Sequence, residues 1–255
     1  MPFWSSIKTK YRFDDFTESA YKVCLSVAQK KYEFIRFVDY QSSGKLCLWR
    51  HDVDLSPQRG LALAKIEADS SINSTFFVHF HSDYYNLLEG EVVQLVKAIH
   101  TLGHDIGLHF DLAFYQGSIQ SSADLEPLLI FEKNILEKTL GINVQSFSFH
   151  NPIAHPDIRI GDEMLGGMVN AYSDFIKEKF SYCSDSFCYW RYKRLLDVLE
   201  NEDNQYLQIL THPECWSKQA LSPYKRILRA INGRRDKTIS KYLSRSQKFG
   251  RKIIR

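Results

Sequence analysis

Four short apolar runs, each followed by a longer stretch with helical spacing, leave this 255-residue chain few folds to choose from. The runs are "LCLWRHDVD" (46–54), "STFFVHF" (74–80), "HDIGLHFD" (104–111) and "VQSFSFHNP" (144–152). Between them lie "SPQRGLALAKIEAD" (56–69), which opens on a Ser cap and a first-turn Pro, "GEVVQLVKAIHTLG" (90–103) and "SADLEPLLIFEKNILEKTLG" (122–141), both closing on Gly. Parallel strands need a crossover of this length, so the alternation predicts βαβ units in a parallel sheet or barrel. The spacing also predicts an amphipathic helix over 14–31, with Phe16, Ala20, Val23, Cys24 and Val27 in phase. Further along it predicts short strands near 169–174, 181–184 and 206–211, and a helix near 191–201. One or two basic-faced helices are predicted over 218–248.

The polar residues fall where these runs end. Asp52 and Asp54 end the first, His79 and His81 the second, His109 and Asp111 the third, and His150 the fourth; His212 ends "YLQILTHP". In a parallel barrel these ends share the face on which barrel active sites sit. Residues i and i+2 point to the same side of a strand, so Asp52 with Asp54, and His109 with Asp111, can aim at one centre. A mixed His/carboxylate cluster fits a divalent metal such as Zn²⁺ or a first-row neighbour. A neighbouring carboxylate can then act as base and a His as acid. A lone strand-end Asp is usually a cap and a lone His usually structural; several at once point to a site. His104 lies five residues from His109, on the opposite strand face, and is expected to be hydrogen-bonded under the sheet. His100 and His155 are expected on the surface or in loops, and Trp49 in the core; either His79 or His81 could border the pocket.

Charge is segregated. Residues 225–255 hold 12 of the 33 Lys and Arg but only one of the 30 acids, Asp236, so a tail of net +11 follows a body of net −8. The tail carries Ile227, Leu228 and Ile231, then Ile239, Tyr242 and Leu243, at helical spacing. It is expected either to dock on the acidic body or to lie on an anionic membrane surface. An acidic body without a nucleic-acid motif argues against nucleic-acid binding. No signal-peptide core and no membrane-length apolar run are present. The five cysteines, Cys24, Cys47, Cys183, Cys188 and Cys215, lack metal-type spacing and are expected to be free thiols in a reducing compartment, which predicts a cytoplasmic protein.

"HDVD", "STFFV", "GHDIGLHFD", "FHNP" and "ILTHP" together resemble the polysaccharide deacetylase superfamily, the NodB-homology domain of carbohydrate esterases, over roughly 46–213. "LGHDIGLH" (102–109) is close to that family's Gly-His-Glu-Ile-Gly-x-His signature. "RHDVD" with "HPECW" is more similar to a divergent branch found among bacterial surface-polysaccharide biosynthesis genes. The resemblance implies an α/β fold, an incomplete (β/α) barrel of about seven parallel strands where a full one has eight. An N-terminal helix and a basic helical tail would be additions, dividing the chain into 1–224 and 225–255. It implies metal-dependent hydrolysis of an N- or O-acetyl group on a carbohydrate: a nucleotide sugar, a lipid-linked oligosaccharide or a glycan.

Carried over motif by motif, Asp52 matches the general base, Asp54 and His109 metal ligands, and His212 the catalytic acid. Two positions depart from the pattern. The family's second metal His, four residues after the first, is Ala113 here, and its Arg-x-Pro appears as His150-Asn151-Pro152. The expected ligand set is therefore Asp54, His109 and His150, with Asp111 as the rival third ligand or a substrate contact. "YCSDSFCYW" (182–190) stands where the family has an Asp/Trp motif, so Asp185 and Trp190 are expected to shape the pocket, and Trp190 and Trp216 to stack on a sugar ring. The competing readings are a hydrolase of another C–N or C–O bond on the same scaffold, and a degenerate, non-catalytic sugar-binding protein.

Overall fold

A computed structural model describes residues 10–119, 121–152 and 158–254. His155 lies outside the described residues. The elements follow in the order α1 (Glu18–Gln29), β1 (Glu33–Phe34), β2 (Leu46–Val53), α2 (Pro57–Asp69), β3 (Thr75–His79), α3 (Gly90–Thr101), β4 (Asp105–Asp111), α4 (Leu125–Leu140) and β5 (Ser146–His150). Then come β6 (Met164–Leu165), β7 (Met168–Asn170), α5 (Asp174–Lys179), β8 (Ser181–Ser184), α6 (Leu195–Asn201), β9 (Tyr206–Thr211) and α7 (Pro223–Lys248).

Among the described residues the strands form one nine-stranded sheet in the order β6-β7-β5-β4-β3-β2-β9-β8, with β1 added beside β2. Every pairing is parallel except β6 with β7. The sheet is curled and its ends stay apart, which makes an open, distorted (β/α) barrel. β2 sits between β3 and β9 and is buried along its whole length, as a parallel strand covered on both faces must be.

Strand alternation decides what reaches the site. On β2, Cys47 and Trp49 pack outward with Tyr21, Leu63 and Trp216. Leu46 and Leu48 pack inward with Phe77, Val169 and Ile176. Continuing the inward series by twos leads from Leu48 through Arg50 to Asp52 and Asp54. The same count leads from Phe77 to His79 on β3, from Gly107 to His109 and Asp111 on β4, and from Ser148 to His150 on β5. Gly107 is required here: a Cβ would meet the Phe77 ring at 2.4 Å.

The helix termini follow the sequence signals. The Thr17 hydroxyl accepts from Ala20 N–H, Ser56 from Arg59 N–H before Pro57, and Gly141 closes α4 at φ 70°. The outward-facing His51 donates to Glu67 Oε1 (2.7 Å), a buried carboxylate that also accepts from the Ser74 hydroxyl (2.6 Å) and from Tyr21. His104 is fully buried between Ser74 N–H (3.2 Å) and the Ala64 carbonyl (2.9 Å), as expected of a residue under the sheet.

One expectation needs correction, and another is narrowed. Cys188 and Cys215, 27 residues apart, form a disulfide; only Cys24, Cys47 and Cys183 are free thiols. Neither cysteine carries a spacing signal, and the fold alone brings their Cα atoms to 4.8 Å, within bonding range. The tail is one 26-residue helix, α7, whose first turns belong to the body. The Arg226 guanidinium is buried, donates to the carbonyls of Cys188 (2.6 Å) and Phe13 (3.0 Å), and lies 4.2 Å from the Phe16 ring centroid. Further along, Arg234 and Lys241 pair with Glu89, and Lys237 with Glu91. No helix among the described residues is long and apolar enough to cross a membrane.

Candidate active site

The inward carboxyl ends of β2, β4 and β5 and the residue after β9 line a cavity of about 620 Å³. Asp52, Asp54, His109, His150 and His212 all face it, with Tyr172, Tyr182, Arg191 and Tyr192 around the mouth.

Asp52 is buried, and one oxygen is held by the Arg50 guanidinium at 2.9 Å. Arg50 itself is fully buried, donates to the Tyr172 hydroxyl (3.2 Å) and stacks on that ring. The other oxygen, Asp52 Oδ1, is buried without a hydrogen-bond partner. A bare carboxylate oxygen at a cavity wall is costly to keep and is able to accept a proton.

Asp54 Oδ1 lies 3.2 Å from His109 Nε2, and Oδ2 lies 3.7 Å from His212 Nε2. Burial alone would raise the Asp54 carboxyl, but the hydrogen bond to His109 and the charges of His109, His212 and His150 hold it well below the usual carboxylate range. His109 Nδ1 shares a 2.6 Å hydrogen bond with the Ser148 hydroxyl, which turns Nε2 toward Asp54.

His212 is oriented by Asp185, which is 0% exposed and accepts from three donors. They come from His212 Nδ1 at 2.7 Å, from His212 backbone N–H at 3.0 Å, and from Trp216 Nε1 at 3.0 Å. Burial would lower the His212 imidazole, but the Asp185 carboxylate, with Asp54 behind it, outweighs this and holds it up at about 10. The Cys188–Cys215 disulfide ties the segment after Asp185 to the segment after His212.

His150 turns Nδ1 toward Asp111 Oδ1, at 3.6 Å. Asp111 Oδ2 lies 3.4 Å from His79 Nε2, and Asp111 Oδ1 accepts from Ala113 N–H at 2.9 Å. The donor atoms of His79, Asp111 and His150 all lie within 4.8 Å of one another, the one such group among the described residues. His79 therefore joins the cluster, while His81 turns away and pairs with Glu132 at 2.7 Å.

The two tryptophans expected at a sugar ring sit elsewhere. Trp216 is 0% exposed, packed against Phe16 and Tyr21, and has no face open to a ligand. Trp190 stacks on Phe16 and donates to Asp15 at 3.0 Å; neither ring lines the cavity. The aromatic rim consists of tyrosines instead, with Tyr192 84% exposed. Sequence reasoning also passed over Glu214, a buried acid beside His212 that burial, and then Asp54, push up to about 8. Its only sequence signal was its place within "HPECW".

Fold and site together define an open (β/α) barrel with a His/carboxylate cluster at the carboxyl ends of its strands. The solved structures to which this chain is similar include family 4 carbohydrate esterases, a chitin deacetylase and a pseudoenzyme. With a family 4 carbohydrate esterase pseudoenzyme from Bacillus anthracis it shares 14% identity at a TM-score of 0.42, over 76% of this chain and 62% of that one. With a family 4 carbohydrate esterase from Bacillus anthracis the figures are 14% and 0.41, over 84% and 85% of the two chains. With the chitin deacetylase from the fungal pathogen Colletotrichum lindemuthianum they are 16% and 0.41, over 76% and 84%. The chain spans 62–64% of the length of the pseudoenzyme structures it matches. No family model matches the chain. No curated protein matches it.

Proposed function

We propose that this protein is a metal-assisted hydrolase that removes an N- or O-acetyl group from a carbohydrate. The observation that carries the reading is the convergence of Asp52, Asp54, His109, His150 and His212 on one cavity of about 620 Å³. Imidazole and carboxylate donors suit Zn²⁺ or a first-row neighbour, and His79 Nε2 beside them, buried without a hydrogen-bond partner, is placed to ligate one. The motif resemblance gives such an ion Asp54, His109 and His150. When bound, it supplies a Lewis acid that polarises an acyl carbonyl and eases deprotonation of water.

The chain's own residues account for the proton movements. Asp52 Oδ1 accepts a proton from the attacking water, while Arg50 holds Oδ2 and keeps the carboxylate aimed. His212 Nε2–H donates to the leaving nitrogen or oxygen. Its other nitrogen is held by Asp185, which fixes the ring and stabilises its protonated form. Tyr172, Tyr182 and Tyr192 offer ring faces and hydroxyls suited to a sugar.

Surface-polysaccharide biosynthesis is the setting that the "RHDVD" and "HPECW" resemblance supports. The cytoplasmic expectation drew on five free thiols and loses that support with Cys188–Cys215 paired. Peripheral contact with an anionic membrane remains a proposal for the end of α7 and beyond. There Tyr242, Phe249 and Ile254 are exposed among Lys248, Arg251 and Lys252.

Ala113, in place of the family's imidazole, favours a second reading: a sugar-binding relative without catalysis. Acetate release from acetylated chito- and xylo-oligosaccharides, measured with and without added Zn²⁺ or Co²⁺, tests the choice. Release that depends on the ion and is lost in Asp52→Asn supports the hydrolase. Binding of these sugars without any acetate release under either condition would point to the second reading.

A further inference from the structure

His79 has no counterpart in the motifs that suggested the metal site. It ends β3, and its register partner on β4 is His109. The side chain is almost completely buried, and Nε2 has no hydrogen-bond partner. Asp111 Oδ2 is its near neighbour, at 3.4 Å. A buried imidazole nitrogen left bare in this way is destabilising unless something occupies the space before it.

The surrounding groups say what that occupant is. Asp111 presents one oxygen to His79 and the other to His150, and its carboxylate is pinned by Ala113 N–H. His150 stands opposite Asp111 in the β4–β5 register, its ring centroid 4.6 Å from that of His79. Two imidazoles and a carboxylate, each from the end of a different neighbouring strand, are a first-row metal donor set. Asn151 lies 3.1 Å from His150 Nε2, and its side-chain amide can offer either its nitrogen or its oxygen there, the kind of outer partner that orients a ligating His.

The motif-derived set is less complete. Asp54 and His109 face each other at 3.2 Å, with Asp54's second oxygen turned to His212, and His150 is drawn to Asp111 rather than to them. Asp54 Oδ1 and His79 Nε2 are both buried without a hydrogen-bond partner, each near a single neighbour at 3.2 and 3.4 Å; among the described residues, only His79, Asp111 and His150 bring three donor atoms within 4.8 Å of one another.

We infer that the metal ion of this protein is held by His79, Asp111 and His150, with Asp54 and His109 beside it. This rests on the metal-assisted reading and changes who holds the ion. Ala113 is then no defect. The imidazole missing four residues after His109 is replaced from the neighbouring strands β3 and β5. His150 brings the set to the cavity wall.

The test is ion binding, independent of turnover. The full chain is stripped with a chelator and titrated with Zn²⁺ by calorimetry, and with Co²⁺ by visible absorption, whose bands report nitrogen ligands. His79→Ala, Asp111→Asn and His150→Ala should each weaken affinity by more than the roughly 10–100-fold typical of losing an outer partner. Asp54→Asn should leave stoichiometry and the Co²⁺ spectrum unchanged. His79→Gln, closer in size, is carried alongside, with circular dichroism confirming the fold of each variant. If Asp54→Asn or His109→Ala abolishes binding while folded His79 variants keep it, the assignment is overturned and the motif-derived set stands. If the wild-type chain binds neither ion, the metal-assisted reading falls together with this one.

Discussion

Asp185 Oδ1 lies 2.7 Å from Nδ1 of His212, and the carboxylate has no exposure to water. The pair sits on two segments, after β8 and after β9, joined by a disulfide. The arrangement fixes which imidazole nitrogen reaches the cavity, and it keeps the ring protonated.

Asp185→Asn should therefore lower turnover by about 10²-fold or more, the scale of a lost acid catalyst, with a smaller effect on KM. The direction in pH is set by charge. His212 is held up at about 10, so it acts as an acid below that value and loses its proton as pH rises through it. Removing the Asp185 charge removes the leading upward influence, and the alkaline limb of a kcat profile should move to lower pH. An unmoved limb would show that His212 is not the acid.

Asp52→Asn keeps the shape and the Arg50 contact but removes basicity at Oδ1. Acetate release should fall by about 10²-fold or more, while Zn²⁺ content stays as in the wild type. Near-normal turnover would remove Asp52 from the mechanism.

Cys188→Ser should destabilise the fold by about 3.5 kcal/mol, the loop-closure contribution expected for a bridge of this span. It should lower Tm in chemical and thermal melts. Thiol titration of denatured, unreduced protein should find the three free cysteines rather than five. A count of five would mean that the bridge is absent in solution.

Arg226→Ala should cost roughly 3 kcal/mol, because two buried carbonyls, those of Cys188 and Phe13, lose their donor. Deleting 225–255 should lower Tm for the same reason, whereas deleting 239–255 should leave it nearly unchanged. The shorter deletion then isolates the membrane question. Co-sedimentation with phosphatidylserine vesicles should occur for the full chain at low salt, weaken as salt rises, and vanish without 239–255. Full-length protein that ignores such vesicles removes the membrane proposal.

The βαβ rhythm was legible from residues alone. Apolar runs such as "LCLW" and "STFFV" and caps such as Ser56-Pro57 and Gly141 act locally, through burial and backbone geometry that neighbours in the chain supply. The period-of-two argument put Asp52 with Asp54, and His109 with Asp111, on inward faces because alternation is a property of any strand. The short elements β1, β6 and α5 escaped, being too brief to show a period. What only the tertiary structure decided were contacts between residues distant in sequence. Among them are Cys188 meeting Cys215, Trp216 turned into the core as a donor to Asp185, and Arg226 anchoring α7. His79 brought beside Asp111 and His150 is another. Each depends on strand order and on how far the sheet curls. Those are set by the packing of the whole core, and no window of neighbouring residues carries that information.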